Sequence, residues 1–403
     1  MRNILFLTTM YPDPMRPGTK VCHYFTSEWA KMGYNVLVIN MRSMFPRFFT
    51  DMARLFPGLA QRYVGNHVEM DRNMNVVQHE VDGIPVYSIP VFKYIPHRKY
   101  PSWSIRKCVR TITGIVASRE FVPDAVVGHF FNPTMEVVYE LGKIYDSAKT
   151  CIVFHEGGPS VVVKNYGSSA KEILASFDLV GFRHNGMRSL YETQFGHFRK
   201  SFICYSGTNA LFLESTPPEK GFSDAPVSRF LYVGQFTANK RVIDVAQAVS
   251  EVSTGDYRMT LVGGGGTEEP HLREFISDNG LDEHFVFTGR IDRNEVIKYY
   301  DENQCFIMVS RSEAFGLVYL EAMSRGCICI GSIGQGIDGV IIDGVNGFLC
   351  HSGNVEELKA KIAYINSLSS EEKRTIASNA RKTAESLSDK NVAQMYIDEV
   401  EKA

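Results

Sequence analysis

The chain has 403 residues, 44% of them apolar and 22% charged, and a formal net charge of −2 at pH 7. That composition is ordinary for a soluble globular enzyme and excludes a collagen-like or largely disordered chain. The near-neutral balance supplies no global field for gripping a nucleic acid backbone, so no nucleic acid partner is expected.

The length exceeds what one hydrophobic core usually organises and predicts two domains with a cleft. MRNILFLTTMYP carries one Arg and an apolar run too brief for a secretory signal, and reads as a first strand. It leads into YPDPMRPGTKV, a Pro-rich loop with Gly18 and Thr19 that is either a cleft-facing loop or a rigid turn. Apolar runs then recur between amphipathic stretches: NVLVINM, DAVVGHF, TCIVFHE, LVGFRH and SFICYS before residue 210, and RFLYVGQ, RMTLVGGG, FVFTG, CFIMVS and CICIGS after it. Runs apolar on both faces predict parallel strands covered on each side by helices, hence an α/β fold of two Rossmann-like, doubly wound domains facing a cleft. Residues 213–228, LESTPPEKGFSDAPVS, read as the linker and hinge between an acceptor-side domain at 1–212 and a second domain at 229–385. Residues 386–403 read as a C-terminal helix that could return to the first domain.

No window reaches the roughly 18 apolar residues that span a bilayer, so a cytoplasmic location is expected, with any membrane contact peripheral. Segments 44–64 and 91–110 mix aromatics with Arg and Lys. They read either as a surface for anionic lipid headgroups and a lipid-linked acceptor, or as helical insertions whose aromatics pack on the sheet. The eight cysteines form no CxxC pair and have no histidine at metal-ligand spacing. They read as reduced, buried cytosolic thiols, and no metal is expected.

The most informative stretch is Ser310–Gly326, SRSEAFGLVYLEAMSRG, which follows the strand CFIMVS. Ligands of open α/β sheets bind at the carboxyl ends of strands. A helix starting near Phe315 or Gly316 leaves the amides of Gly316, Leu317 and Val318 free to hold an anionic phosphate. Glu313 before that turn and Glu321 within the helix could flank the phosphate, each accepting two vicinal hydroxyls. Taken alone, each acid is more simply read as a charge at a helix start or on a solvated helix face, since acids commonly sit there. In YVGQFTANKRVIDVAQAV a strand ends at Gly234, followed by Gln235, and Lys240 with Arg241 opens a helix. Two cations at that end oppose the helix dipole unless an anion neutralises them, although an exposed loop pair is the competing reading. MTLVGGGG, Met259–Gly266, lets backbone approach a ligand near Gly264, but fails as a dinucleotide fingerprint because Glu268 stands where glycine is needed. In the first half His155 of FHEGGPS and His129 of GHFFNPT each follow a strand, a place where a histidine is more often a hydrogen-bonded structural residue than a catalytic one.

Taken together, and in this chain order, YVGQFTANKR, LVGGGG, FVFTGRIDRNEVIKYY and SRSEAFGLVYLEAMSRG resemble the signature of the large retaining glycosyltransferase family 4, which has the GT-B fold. The resemblance spans the C-terminal half and, more loosely, the first strand, the Gly18 loop and the His155 segment. It implies a hexosyltransferase-type enzyme that moves sugar from a nucleotide diphosphate sugar to a saccharide or lipid-linked acceptor, with retention and without a required metal or other cofactor. It implies that Glu313 binds donor-sugar hydroxyls, that the amides of Phe315, Gly316 and Leu317 contact sugar and phosphate, and that Glu321 holds the ribose. Lys240 would offset charge on the leaving diphosphate, backbone near Arg290 and Ile291 would meet the base, His155 would sit beside the transferred sugar, and Gly18 would border the phosphate. Gln235 departs from the family, which usually has arginine there, and Arg241, in place of a common glycine, could supply the missing charge. A nucleotide-sugar epimerase or phosphorylase on the same fold, and an inactive nucleotide-sugar-binding protein, are the alternatives.

Overall fold

The computed structural model describes residues 2–13, 21–48, 51, 55, 74–155 and 157–403. The chain divides into two units. The first comprises Met1–Arg183, Met187–Cys204 and Val392–Ala403, the second His184–Gly186 and Tyr205–Asn391.

The first unit is built on eight strands: β1 (Asn3–Thr8), β2 (Asn35–Met44), β3 (Val77–Val81), β4 (Ile84–Phe92), β5 (Ala125–His129), β6 (Lys149–Phe154), β7 (Leu179–Phe182) and β8 (Ser201–Ile203). They run in the order β3-β4-β2-β1-β5-β6-β7-β8. All neighbours pair parallel except β3 with β4. Ile4 to Leu7 and Val126 to Val127 are fully buried, as strands with helices on both faces require. The β3–β4 hairpin turns on Asp82 and Gly83, at φ 49° and 76°. Positive φ at both central residues defines the primed turn that matches strand twist, and Asp-Gly is among its preferred pairs.

The core of this unit is completed by the last residues of the chain. Trp29, on the helix His23–Lys31, is fully buried, and its indole N–H donates to the Ala393 carbonyl at 2.9 Å. Tyr396, on the helix Asp389–Lys402, meets Phe25 and Trp29 with ring centroids 5.1 Å away from each.

Segment 91–110 ends β4 and begins the helix Ser102–Ser118. Ile105, Cys108 and Val109 turn inward, while Trp103, Arg106, Lys107 and Arg110 are exposed. Most of segment 44–64 lies outside the described residues. All eight cysteines are buried and unbridged.

The second unit contains β9 (Arg229–Gly234), β10 (Arg258–Gly263), β11 (Phe285–Gly289), β12 (Cys305–Ile307), β13 (Ile328–Ser332) and β14 (Phe348–Cys350), in the order β11-β10-β9-β12-β13-β14. Every pair is parallel. Numbered within the unit the order is 3-2-1-4-5-6, so the winding reverses between β9 and β12, and a crevice for ligands opens at their carboxyl ends. Residues 213–228 are bonded along the second unit. Arg325, 2% exposed, donates to the Ser215 carbonyl at 2.7 Å and forms a two-pronged pair with Asp301 at 2.7 and 2.8 Å. Lys373 donates to the carbonyls of Ser223 and Ala225 at 3.0 and 2.8 Å.

Replacing Trp29 by Ala removes the largest side chain of the first core and its hydrogen bond to Ala393. The expected loss is about 3–5 kcal/mol of unfolding free energy, read from denaturant titration.

Candidate active site

The loops that follow β9 and β12 meet at the reversal point of the second sheet. After β9 the chain turns through Gln235 and the short 3-10 segment Ala238–Lys240, and Arg241 takes a left-handed conformation before the helix Val242–Val252. After β12 it passes Arg311, Ser312 and Glu313 and enters the helix Leu317–Ser324. Asn239 joins the two. Its amide nitrogen donates to the Ser312 carbonyl at 2.8 Å, its side-chain oxygen accepts from the Ser312 amide at 3.0 Å, and its backbone carbonyl accepts from Arg311 at 2.8 Å.

With Asn239 and Ser312 so fixed, the next residues of each loop come together. The Lys240 ammonium donates to a Glu313 carboxylate oxygen, both side chains being partly buried. The Glu313 amide donates to Gln335 Oε1 at 3.0 Å, and its carbonyl accepts from Gly336 at 2.9 Å. Gly336 lets this second strap come close, because a Cβ there would stand 2.2 Å from Phe315 Cα. Gly316 is the N-cap of the helix at φ 83°, and a Cβ on it would meet the Tyr319 ring at 2.6 Å. The amides of Gly316, Leu317 and Val318 precede the first intrahelical bond, which Tyr319 donates to the Gly316 carbonyl at 3.0 Å. Phe315 itself is buried, 6.4 Å from the Tyr205 ring.

Glu321 is 6% exposed, so it is no part of a solvated helix face. It accepts from Arg293 Nη2 at 2.6 Å and from the Tyr300 hydroxyl at 3.0 Å. Burial, and then the charge of Glu321, raise the Tyr300 phenol well above its usual range, which keeps it a donor. Arg241 pairs with Asp244 at 3.4 Å and packs against Gly353, where an added Cβ would lie 2.3 Å from its guanidinium. Thus both cations at this helix start are neutralised by the chain's own carboxylates. The Gln235 side chain is exposed, and its carbonyl accepts from the Tyr232 hydroxyl at 3.0 Å.

The glycine run is a place of close backbone contact. A Cβ on Gly263 would fall 2.0 Å from the Gly234 carbonyl, and one on Gly266 2.3 Å from that of Phe236. Gly264 carries φ 140°, and the Gly265 amide donates to Glu269 at 2.8 Å. Arg290 places its guanidinium 3.6 Å from the Cβ position of Gly265, bringing the turn after β11 to the turn after β10, with Ile291 following half-buried.

In the first unit His155 is 4% exposed and its Nε2 lies 2.7 Å from Nδ1 of His129, whose Nε2 is 3.1 Å from the Tyr396 hydroxyl. Burial, then the Arg183 charge, hold both imidazoles well below their ordinary pKa, so both are neutral at pH 7. With Cys22 the two histidines bring three potential metal-ligand atoms within 4.8 Å of one another. Two nitrogens on one tetrahedral zinc ion would stand about 3.3 Å apart, whereas 2.7 Å is a hydrogen-bond distance. We read the group as hydrogen-bonded. Gly18 lies outside the described residues.

Sequence reasoning missed Asn239, Gln335, Arg293 and Tyr300, which hold the residues it named. Introducing a methyl at Gly316 forces a side chain into the left-handed region and against Tyr319. Gly316→Ala should cost about 1–3 kcal/mol of stability in a denaturant titration.

Comparison with known proteins adds an independent constraint. Residues 218–383 match the sequence model of the family described as glycosyl transferases group 1. An uncharacterized glycosyltransferase of Methanocaldococcus jannaschii is 26% identical over 190 residues, 47% of this chain and 50% of that protein. The N-acetyl-alpha-D-glucosaminyl L-malate synthase of Bacillus anthracis is 32% identical over 124 residues, 31% of this chain and 32% of the other. The chain thus spans half or less of the length of these curated relatives. Sucrose-phosphate synthase from Thermosynechococcus elongatus superposes over 100% of both chains with a TM-score of 0.69 at 19% identity, a likeness of fold. The chain therefore has the GT-B fold, and residues 218–383, which carry Lys240, Glu313 and Glu321, match glycosyl transferases group 1.

Proposed function

We propose that the protein is a glycosyltransferase that moves a sugar from a nucleotide diphosphate sugar to a saccharide or lipid-linked acceptor, with retention of anomeric configuration and without a metal cofactor, in cell-surface polysaccharide or glycolipid synthesis. The observation that carries this reading is the Lys240–Glu313 pair beside the open amides of Gly316 to Val318, at the reversal point of the 3-2-1-4-5-6 sheet. A diphosphate at that helix start meets N–H donors and the Lys240 ammonium together. The family matched by residues 218–383 supports transfer over the epimerase, phosphorylase and binding-protein alternatives.

Breaking the bond between anomeric carbon and phosphate moves an electron pair onto the leaving diphosphate. Fixed cations and N–H groups stabilise that charge most where it develops. Lys240 is placed for this role, and Glu313, held by Gln335 and Gly336, aligns one carboxylate oxygen with Lys240 and offers the other to donor-sugar hydroxyls. Glu321 takes the ribose, Arg293 and Tyr300 having fixed its orientation. The turns carrying Gly264, Arg290 and Ile291 are assigned to the base. In the first unit His155 is neutral and oriented by His129, ready to offer a ring nitrogen to a hydroxyl.

No helix among the described residues is long and apolar enough to cross a membrane. Peripheral contact with the cytoplasmic membrane face is supported by exposed Tyr94, Ile95 and Trp103 next to exposed Arg98, Arg106 and Lys107.

A thermal-shift screen of nucleotide sugars should single out one donor, since a ligand bound by the folded state alone raises its melting temperature with concentration. With that donor, Lys240→Met should lower kcat by about 100- to 1,000-fold. Unchanged turnover in this variant, or an inverted product by NMR, would contradict the assignment.

A further inference from the structure

The first unit holds a cavity of about 260 Å³ lined by Ser43, Phe45, Lys93, His97, Phe131 and Asn132 among others. Ser43 lies near the carboxyl end of β2, Lys93 directly follows β4, and Phe131 and Asn132 follow β5. Such an edge is where α/β sheets take ligands.

Two of its polar groups are unmatched. Lys93 is 6% exposed, and among the described residues its ammonium makes no ion pair and no hydrogen bond, facing instead the Tyr100 ring with 4.7 Å to the centroid. A cation over a ring face leaves its three N–H donors unused. Asn132 donates from its amide nitrogen to the Arg98 carbonyl at 3.1 Å, which leaves its side-chain oxygen buried with no donor. A buried cation and a buried acceptor without partners are both costly, and they call for opposite chemistry. A ligand that brings an anionic oxygen and a neighbouring hydroxyl satisfies both. Phe45 and Phe131 supply apolar faces for a ring of carbon atoms. The Lys93 pKa is pushed down to about 8 by burial, with no carboxylate contributing.

We propose that this cavity is a subsite for a hydroxylated anion, a sugar or polyol that carries a phosphate ester or a carboxylate. Its use as the acceptor position rests on the glycosyl-transfer reading, whereas the anion recognition does not.

The test is calorimetric titration of the full chain with glucose 6-phosphate, glucuronate and glucose, for the wild type and Lys93→Met, at pH 7 and pH 9.5, with UDP and GDP titrated in parallel. At least one anion should bind about tenfold or more tightly than glucose, and which one does so separates phosphate from carboxylate. Lys93→Met should remove that preference and leave nucleotide binding unchanged. In the wild type the preference should fade at the higher pH, because the ammonium loses its charge as pH rises through its pKa. The other titratable groups facing it are His97 and the Tyr100 phenol, so the fading must be absent in Lys93→Met. Equal binding of glucose and both anions by the wild type overturns the subsite, even if Lys93→Met fails to fold. Nucleotide binding without anion binding overturns the subsite and leaves the transfer reading standing. Lys93-dependent anion binding supports the subsite whether or not UDP or GDP binds, because the anion recognition does not depend on the donor base.

Discussion

The arrangement of the second unit depends on one side chain, the Asn239 amide, which locks the loop after β9 to the loop after β12. Donating to and accepting from Ser312, while its backbone carbonyl takes the Arg311 amide, it makes the two loops one piece. Each such bond contributes on the order of 1 kcal/mol. The geometric consequence is larger than the energetic one. Lys240 and Glu313 are each the next residue along their loops, so their charges meet because the residues before them are tied.

That pairing changes the account of the cations at the helix start. A lysine and an arginine at the positive end of a helix dipole appear, from sequence, to need an external anion. Here the anions are internal: Glu313 answers Lys240 and Asp244 answers Arg241. Their partners hold the cations in place before any ligand arrives, which is the condition under which fixed charge contributes most to a reaction. Glu321 follows the same rule, as a buried carboxylate satisfied by Arg293 and Tyr300.

The strand pattern was legible because strands buried on both faces read as continuous apolar runs, and all six strands of that kind before residue 210 are present. β3 and β4 went unread, since β3 alternates at an exposed edge and β4 is interrupted by Pro85 and Pro90; the Asp82-Gly83 turn between them was the available signal. β14 is three residues long, too short for any periodicity. At the site, residue types at strand ends pointed to Glu313, Lys240 and Gly316. Asn239, Gln335 and Arg293 act through side-chain geometry across 22 to 73 residues of sequence, which no local pattern encodes.

Tying the loops is the claim on which the donor site rests, and a double-mutant cycle tests it most directly. Nucleoside diphosphate affinity is measured for the wild type, Asn239→Ala, Lys240→Met and the double variant. The account predicts that the two effects are coupled by about 0.5–3 kcal/mol, because Lys240 can serve the phosphate only while Asn239 holds its loop. Strictly additive effects would contradict it.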